Sequence, residues 1–149
     1  IKRNCAGGLM VKDFGFFLKK GDVKKQSPDK NLAYSTFKDS LERIEFARQL
    51  FNKAKPKYVL ENAYEAMREA ADSILYIRGF KSFSHEASIV YLLKEGFNEK
   101  DILEFDRFRR IRNGIKYYGK DCDLSDAEQS IKLANKIITK IKEKIIFKS

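Results

Sequence analysis

The chain has 149 residues, a length that suits one domain, with 43% hydrophobic and 35% charged residues to build a core under a heavily charged surface. Lysine and arginine (31) outnumber aspartate and glutamate (21), a net charge of +10 that suits a polyanionic partner (RNA, DNA, a nucleotide or an acidic protein) or else serves solubility alone. No stretch approaches the roughly 20 apolar residues needed to cross a bilayer, and no apolar signal region with a cleavage site is visible, so the chain reads as cytosolic with no membrane partner.

In chain order, residues 1–9 read as an upstream extension with Met10 as a natural start, and residues 1–21 as an N-terminal extension and basic leader. Residues 22–149 then form a single helical domain. Within the leader, "MVKDFGFFLKKG" carries Phe14, Phe16 and Phe17 and predicts a brief helix packed on the rest. The first long helix is expected from "SPDKN", with Ser27 as cap, Pro28 at the first helical position and Asp29 beside the positive helix end. Its apolar stripe runs Ala33, Phe37, Leu41, Ile44, Ala47, Phe51 until "NKAKP" breaks it.

The second helix is expected from Pro56 to Gly79 on the stripe Val59, Ala63, Met67, Ala70, Ile74, Ile77. Its alanines, Ala63, Ala66, Ala70 and Ala71, allow a neighbouring helix to approach closely, and Gly79 suits a left-handed cap. A shorter helix follows with Ser84 as cap and ends at Gly96; a fourth starts at Asn98 and stops at Gly119. The last begins after Asp123 or Ser125 on the stripe Ala127, Ile131, Ala134, Ile138, Ile141, Ile145. No period-two run stands out. The reading is an all-α, up-and-down bundle of about five helices.

The chemistry-bearing residues crowd the fourth helix, around "RRIRNGIKYYG". At about 100° per residue, Ile102, Phe105, Phe108, Ile111, Ile115 and Tyr118 gather on the face expected in the core. Arg110, Asn113 and Tyr117 fall on the opposite side with Arg109 beside them, while Arg112 sits between the faces near Lys116. Arginine offers a planar fork for phosphate oxygens, asparagine both donates and accepts, and tyrosine stacks on bases. An ordinary solvated face, with Glu104 and Asp106 as salt-bridge partners, fits the same pattern. The single His excludes a His-rich metal site, and Cys5 and Cys122 have no metal spacing; no metal or cofactor is expected, and a disulfide is disfavoured in a reducing compartment.

Three stretches in order resemble the HEPN family (higher eukaryotes and prokaryotes nucleotide-binding domain), notably its short stand-alone prokaryotic and archaeal members. They are "LKKGDVKKQSPDKNLAYSTFKDSLERIEFARQLF", "YVLENAYEAMREAADSILYIRGFKSFSHEASIVYLL" with Tyr64, Arg68, Gly79 and His85, and "RIRNGIKYYG". The resemblance implies a helical domain that dimerises through its late helix, with a composite site at the interface. Active members are metal-independent endoribonucleases using an Arg and, a little over one helical turn on, a His. Others bind RNA, act as scaffolds or pair with minimal nucleotidyltransferases in toxin–antitoxin modules.

Carried over, Arg112 matches the motif Arg and Asn113 the polar residue after it, but Tyr117 stands where the His is expected and Tyr118 follows it. An imidazole titrates near neutrality and moves protons in either direction, whereas a phenol is a poor base at pH 7. The resemblance therefore implies a binding role for Arg109, Arg110, Arg112, Asn113, Lys116, Tyr117 and Tyr118. Nuclease chemistry through Arg112 and Tyr117 is expected to be reduced or lost. The alternatives are a working endoribonuclease toxin and a helical adaptor for a nucleotidyltransferase. His85 is either a helix-end histidine with a local hydrogen bond or a group that approaches Arg112 from a neighbouring helix.

Overall fold

The computed structural model describes residues 12–148 and is an all-α helical bundle with one very small sheet. The helices among the described residues are α1 (Phe14–Lys20), α2 (Lys30–Leu50), α3 (Pro56–Arg78), α4 (His85–Tyr91), α5 (Glu99–Tyr118) and α6 (Leu124–Lys148). A short 3-10 turn, Leu92–Glu95, extends α4. The reading of residues 1–9 and of Cys5 lies outside the described residues.

α3 is the centre. Val59, Leu60, Ala63, Tyr64, Ala66, Met67, Ala70, Ala71, Ser73, Ile74 and Leu75 are all buried, so apolar or small residues face inward around most of its circumference. Its alanines let α2 and α6 lie close against it, which is where most of the helix packing occurs. Arg43 on α2 reaches Glu69 on α3 at 2.8 Å and pins that pair along its rim. α6 contributes Ala127, Leu133, Ala134, Ile137, Ile138, Ile141 and Ile145, close to the expected stripe, with Ile131 half-buried.

Most helix ends fall where the caps predict. Ser84 accepts from the Ala87 N–H, Asn98 from Asp101 and Asp123 from Asp126, while Gly79, Gly96 and Gly119 are left-handed. At α2 the cap is Asp29, which accepts from the Leu32 N–H at 3.0 Å, and not Ser27. The Asp29 N–H is itself held by the Tyr76 carbonyl at the end of α3, so tertiary contact sets the start of the helix two residues later. On the same helix, Leu41 is exposed and Ser40 is buried in its place, its hydroxyl bonded to the Phe37 carbonyl at 2.6 Å.

The structure adds what periodicity could not show. Strands β1 (Val23–Lys25) and β2 (Phe80–Ser82) pair antiparallel, Val23 opposite Ser82, Lys24 opposite Lys81 and Lys25 opposite Phe80. Three residues are too few to display an alternating pattern. The pairing folds α1 back onto the bundle: Phe14 and Phe17 are buried, and Phe14 meets Phe80 and Tyr91 edge-on at 5.2 and 4.9 Å. The brief aromatic helix thus packs as its sequence suggests.

Gly79 is the tightest point. It has φ +85°, and a Cβ there would sit 2.7 Å from the Gln26 carbonyl oxygen, whose own N–H bonds to the Gly79 carbonyl. Gly21 has a similar φ of +88° with nothing within 4 Å. Thermal melts should show Gly79→Ala destabilised by about 2 kcal/mol or more and Gly21→Ala by about 1 kcal/mol, the difference being the backbone clash.

Candidate functional site on α3, α4 and α5

The polar residues that α3 cannot leave in water form the site. Tyr64, Glu65, Arg68 and Asp72 follow one another at helical spacing along α3 and face α4 and α5. Arg68 bonds Glu65 at 2.8 Å and Asp72 at 2.7 Å; Asp72 also accepts from the Ser88 hydroxyl at 2.7 Å. Arg68 is therefore fully engaged. Burial raises the Glu65 carboxyl, but the Arg68 hydrogen bond and the charges of Arg68 and Arg112 outweigh it and hold the pKa below the usual range.

α5 closes the site. Arg112 is only 8% exposed, so it belongs to the buried face and not between two faces. Its Nη1 donates to Asn113 Oδ1 at 3.2 Å, and its Nη2 stands 3.8 Å from Glu65 Oε1, too far for a hydrogen bond. Among the described residues no buried side-chain nitrogen or oxygen lacks a hydrogen-bond partner. None of the Arg112 donors is therefore both fully buried and unsatisfied, and the guanidinium lies at the edge of the interior. Arg109, by contrast, bonds Asp106 at 2.8 Å and pairs with Glu86 at 3.8 Å.

His85, the first residue of α4, enters from the third side. Its Nδ1 lies 3.0 Å from the Tyr64 hydroxyl, and the Arg112 guanidinium sits 5.8 Å from the centre of the Tyr64 ring. His85 and Arg112 thus both approach Tyr64, each from a different helix. Burial, then the charges of Arg68, Arg112 and Arg109 against that of Glu65, lower the His85 pKa to about 4. Burial raises the Tyr64 pKa above its ordinary value, so the phenol keeps its proton.

These two facts fix the tautomer. Tyr64 is fully buried, and among the described residues its hydroxyl has His85 Nδ1 as its one hydrogen-bond partner. The hydroxyl must donate, Nδ1 must accept, and the single proton of the neutral imidazole rests on Nε2. Among the described residues Nε2 has no hydrogen-bond partner and is not a fully buried atom, so in this tautomer its N–H remains available.

The other sequence-predicted residues divide. Tyr117 is 63% exposed, with the Arg112 guanidinium and the Lys116 ammonium each 5.9 Å from its ring centre. Arg112, Asn113, Lys116 and Tyr117 are therefore one group. Arg110 is not part of it: it is drawn to Asp106 at 3.5 Å and lines a separate cleft of about 280 Å³ with Arg107, Ile111, Gly114, Lys120 and Asp121. Tyr118, expected in the core, is 76% exposed at the last residue of α5, and Ile111 is only half-buried. The buried arc of α5 instead includes Asp106 and Arg112, because cross-helix and local ion pairing lets charged groups take positions a hydrophobic wheel assigns to apolar ones.

Glu65 and Asp72 were missed in the sequence, whereas Asp106 was read as a salt-bridge partner but on a solvated face and not in the interior. The available signal was the run Tyr64, Glu65, Arg68, Asp72 on a helix otherwise apolar on most sides. As a whole the site is close to charge-balanced: Arg68, Arg109 and Arg112 face Glu65, Asp72, Glu86 and Asp106. It is not an open basic cleft, and Arg112 is the one of its three arginines with no carboxylate in hydrogen-bond range. Comparison with protein-family models and with curated proteins gives no match.

A depressed His85 pKa means that the unfolded chain binds the proton first. The neutral-histidine contribution to stability is complete above about pH 6.5 and is lost as the pH falls toward about 4. The chain has 1 His, so an imidazole-selective NMR titration reads it directly; the midpoint should lie well below 6.5 and move up in Tyr64→Phe, with Nε2-protonated shifts at pH 7.

Proposed function

We propose that the protein is a HEPN-like RNA- or nucleotide-binding protein in which a phosphate is held by Arg112 and the His85 Nε2–H, with Tyr117 stacking on an adjoining base. The observation that carries this is the contrast in carboxylate partners: Arg68 and Arg109 each hydrogen-bond a carboxylate at 2.8 Å or less, whereas Arg112 hydrogen-bonds only Asn113 and stands 3.8 Å from Glu65. The ring of Tyr117, open to solvent between Arg112 and Lys116, fits recognition of an unpaired base.

The same arrangement supports binding without strong nuclease chemistry. Cleavage through a 2′-hydroxyl requires a base, and His85 offers the site a proton and not a lone pair. Tyr117 occupies the motif position where an imidazole would serve. Exposure of Tyr117 and Tyr118 at the end of α5 agrees with a homodimer formed through that helix, as in toxin–antitoxin and defence-type modules of the family. A second reading, a metal-independent endoribonuclease with Tyr117 as an altered proton-transfer group, is favoured by the closeness of Arg112 to Tyr117. A nucleotidyltransferase partner would occupy the same α5 face.

Binding of a fluorescent single-stranded RNA should fall about tenfold or more in Arg112→Ala and Arg112→Lys, since the lysine keeps the charge but loses the fork. Lys132→Ala, at an exposed pair with Glu128, should change it less than twofold. Equal effects of all three would remove Arg112 as the site. Wild type should show little cleavage in chelator, and Tyr117→His should gain cleavage that leaves a cyclic phosphate; robust wild-type cleavage lost in Tyr117→Phe would establish the second reading instead.

A further inference from the structure

Two exposed phenylalanines lie far along the chain from α5, and each is bracketed by lysines. Phe83, immediately after β2, is 61% exposed, with Lys24 and Lys81 each 5.7 Å from its ring centre. Phe16 on α1 is 37% exposed, with Lys12 at 4.1 Å and Lys20 at 5.9 Å. The two groups are joined by backbone: the Phe83 N–H donates to the Asp22 carbonyl at 2.7 Å, and Lys20 pairs with Asp22 at 3.5 Å.

The fold does not require this arrangement. Lys24 and Lys81 are directly opposite in the two-stranded sheet, a like-charge pairing that destabilises a ladder. Phe14, Phe17 and Phe80 anchor the segment; Phe83 lies outside that core, and Phe16 meets Phe17 edge-on at 5.2 Å while remaining 37% exposed. Cations dominate: Lys12, Lys19, Lys20, Lys24, Lys25 and Lys81 stand against Asp13 and Asp22, and Asp13 caps α1 at the Phe16 N–H.

We propose that this face, the β1–β2 hairpin with α1, is a second binding site, a stacking platform for single-stranded nucleic acid. Bases lie on the Phe83 and Phe16 rings and the flanking ammoniums take the phosphates. Aromatic rings alternating with point charges match a chain that itself alternates flat bases and phosphates, and the pairing is tolerant of sequence. An acidic protein would use the lysines but has no comparable use for the rings. A bilayer surface would call for an extended apolar face, and α1 turns Phe14 and Phe17 inward, away from any such face. The site stands independently of the α5 reading.

The test is fluorescence anisotropy with a labelled oligouridylate, its DNA counterpart and a duplex of equal length, at several salt concentrations, beside phosphatidylserine vesicles. Expected are preference for both single strands over the duplex, about tenfold weaker single-strand binding in Phe83→Ala and retained binding in Phe83→Tyr. The Lys24→Ala/Lys81→Ala double variant should lower the log–log salt slope by about 1.4. Phe83 is exposed, so circular dichroism should show these variants folded. Unchanged binding in Phe83→Ala, equal binding of duplex, or loss of vesicle binding with oligonucleotide binding intact overturns the platform. Arg112→Ala run in parallel separates the sites: loss there without loss in Phe83→Ala leaves only α5, and the reverse leaves only the hairpin.

Discussion

The enclosure of α3 is the constraint on which the rest depends. A helix surrounded by α2, α6, α4 and α5 has almost no water to offer its polar side chains. Tyr64, Glu65, Arg68 and Asp72 must then be satisfied by other parts of the protein, because an unpaired buried charge or hydroxyl costs several kcal/mol. Ser88 and His85 on α4 and Arg112 on α5 meet that demand. The same contacts that satisfy α3 fix the angle at which α4 and α5 present their side chains. The candidate site is therefore a product of core formation and rests on rigid helices.

That origin also bears on chemistry. Groups assembled to neutralise one another arrive in fixed protonation states: Glu65 ionised, Tyr64 protonated, His85 neutral. Proton transfer near neutral pH calls for a group whose two states are close in free energy. None of these three is so balanced. On the proposed reading, the arrangement suits holding a ligand better than transforming it.

The all-α architecture and most helix ends were legible in the sequence because they depend on local physics: stripes at helical spacing, Ser84, Asn98 and Asp123 as caps, and glycines that relax into left-handed backbone. Where a non-local contact intervened, local signals failed. Asp29 replaced Ser27 because the end of α3 grips the chain there, and three-residue strands carry no period. On α5, hydrophobicity placed Tyr118 inside and Arg112 at the boundary. The structure places Tyr118 in solvent and Arg112 in the interior, since Arg112 answers to Glu65, which is 47 positions away in the chain. The separation of Arg110 from Arg112 was hidden for the same reason, as both lie on one short run and only their partners distinguish them.

The tautomer imposed on His85 by Tyr64 reaches beyond geometry into proton accounting. Burial first, and then the positive potential of three guanidiniums against Glu65, keeps a proton off the ring. An anion placed among those guanidiniums reverses part of that potential, and linkage then requires the imidazole to become more basic as the anion binds. Occupancy of the site and proton uptake by one residue become two readings of a single equilibrium. The heat of association would then depend on the ionisation enthalpy of the buffer, and affinity for anions would climb as the solution is acidified toward the midpoint of that lone imidazole.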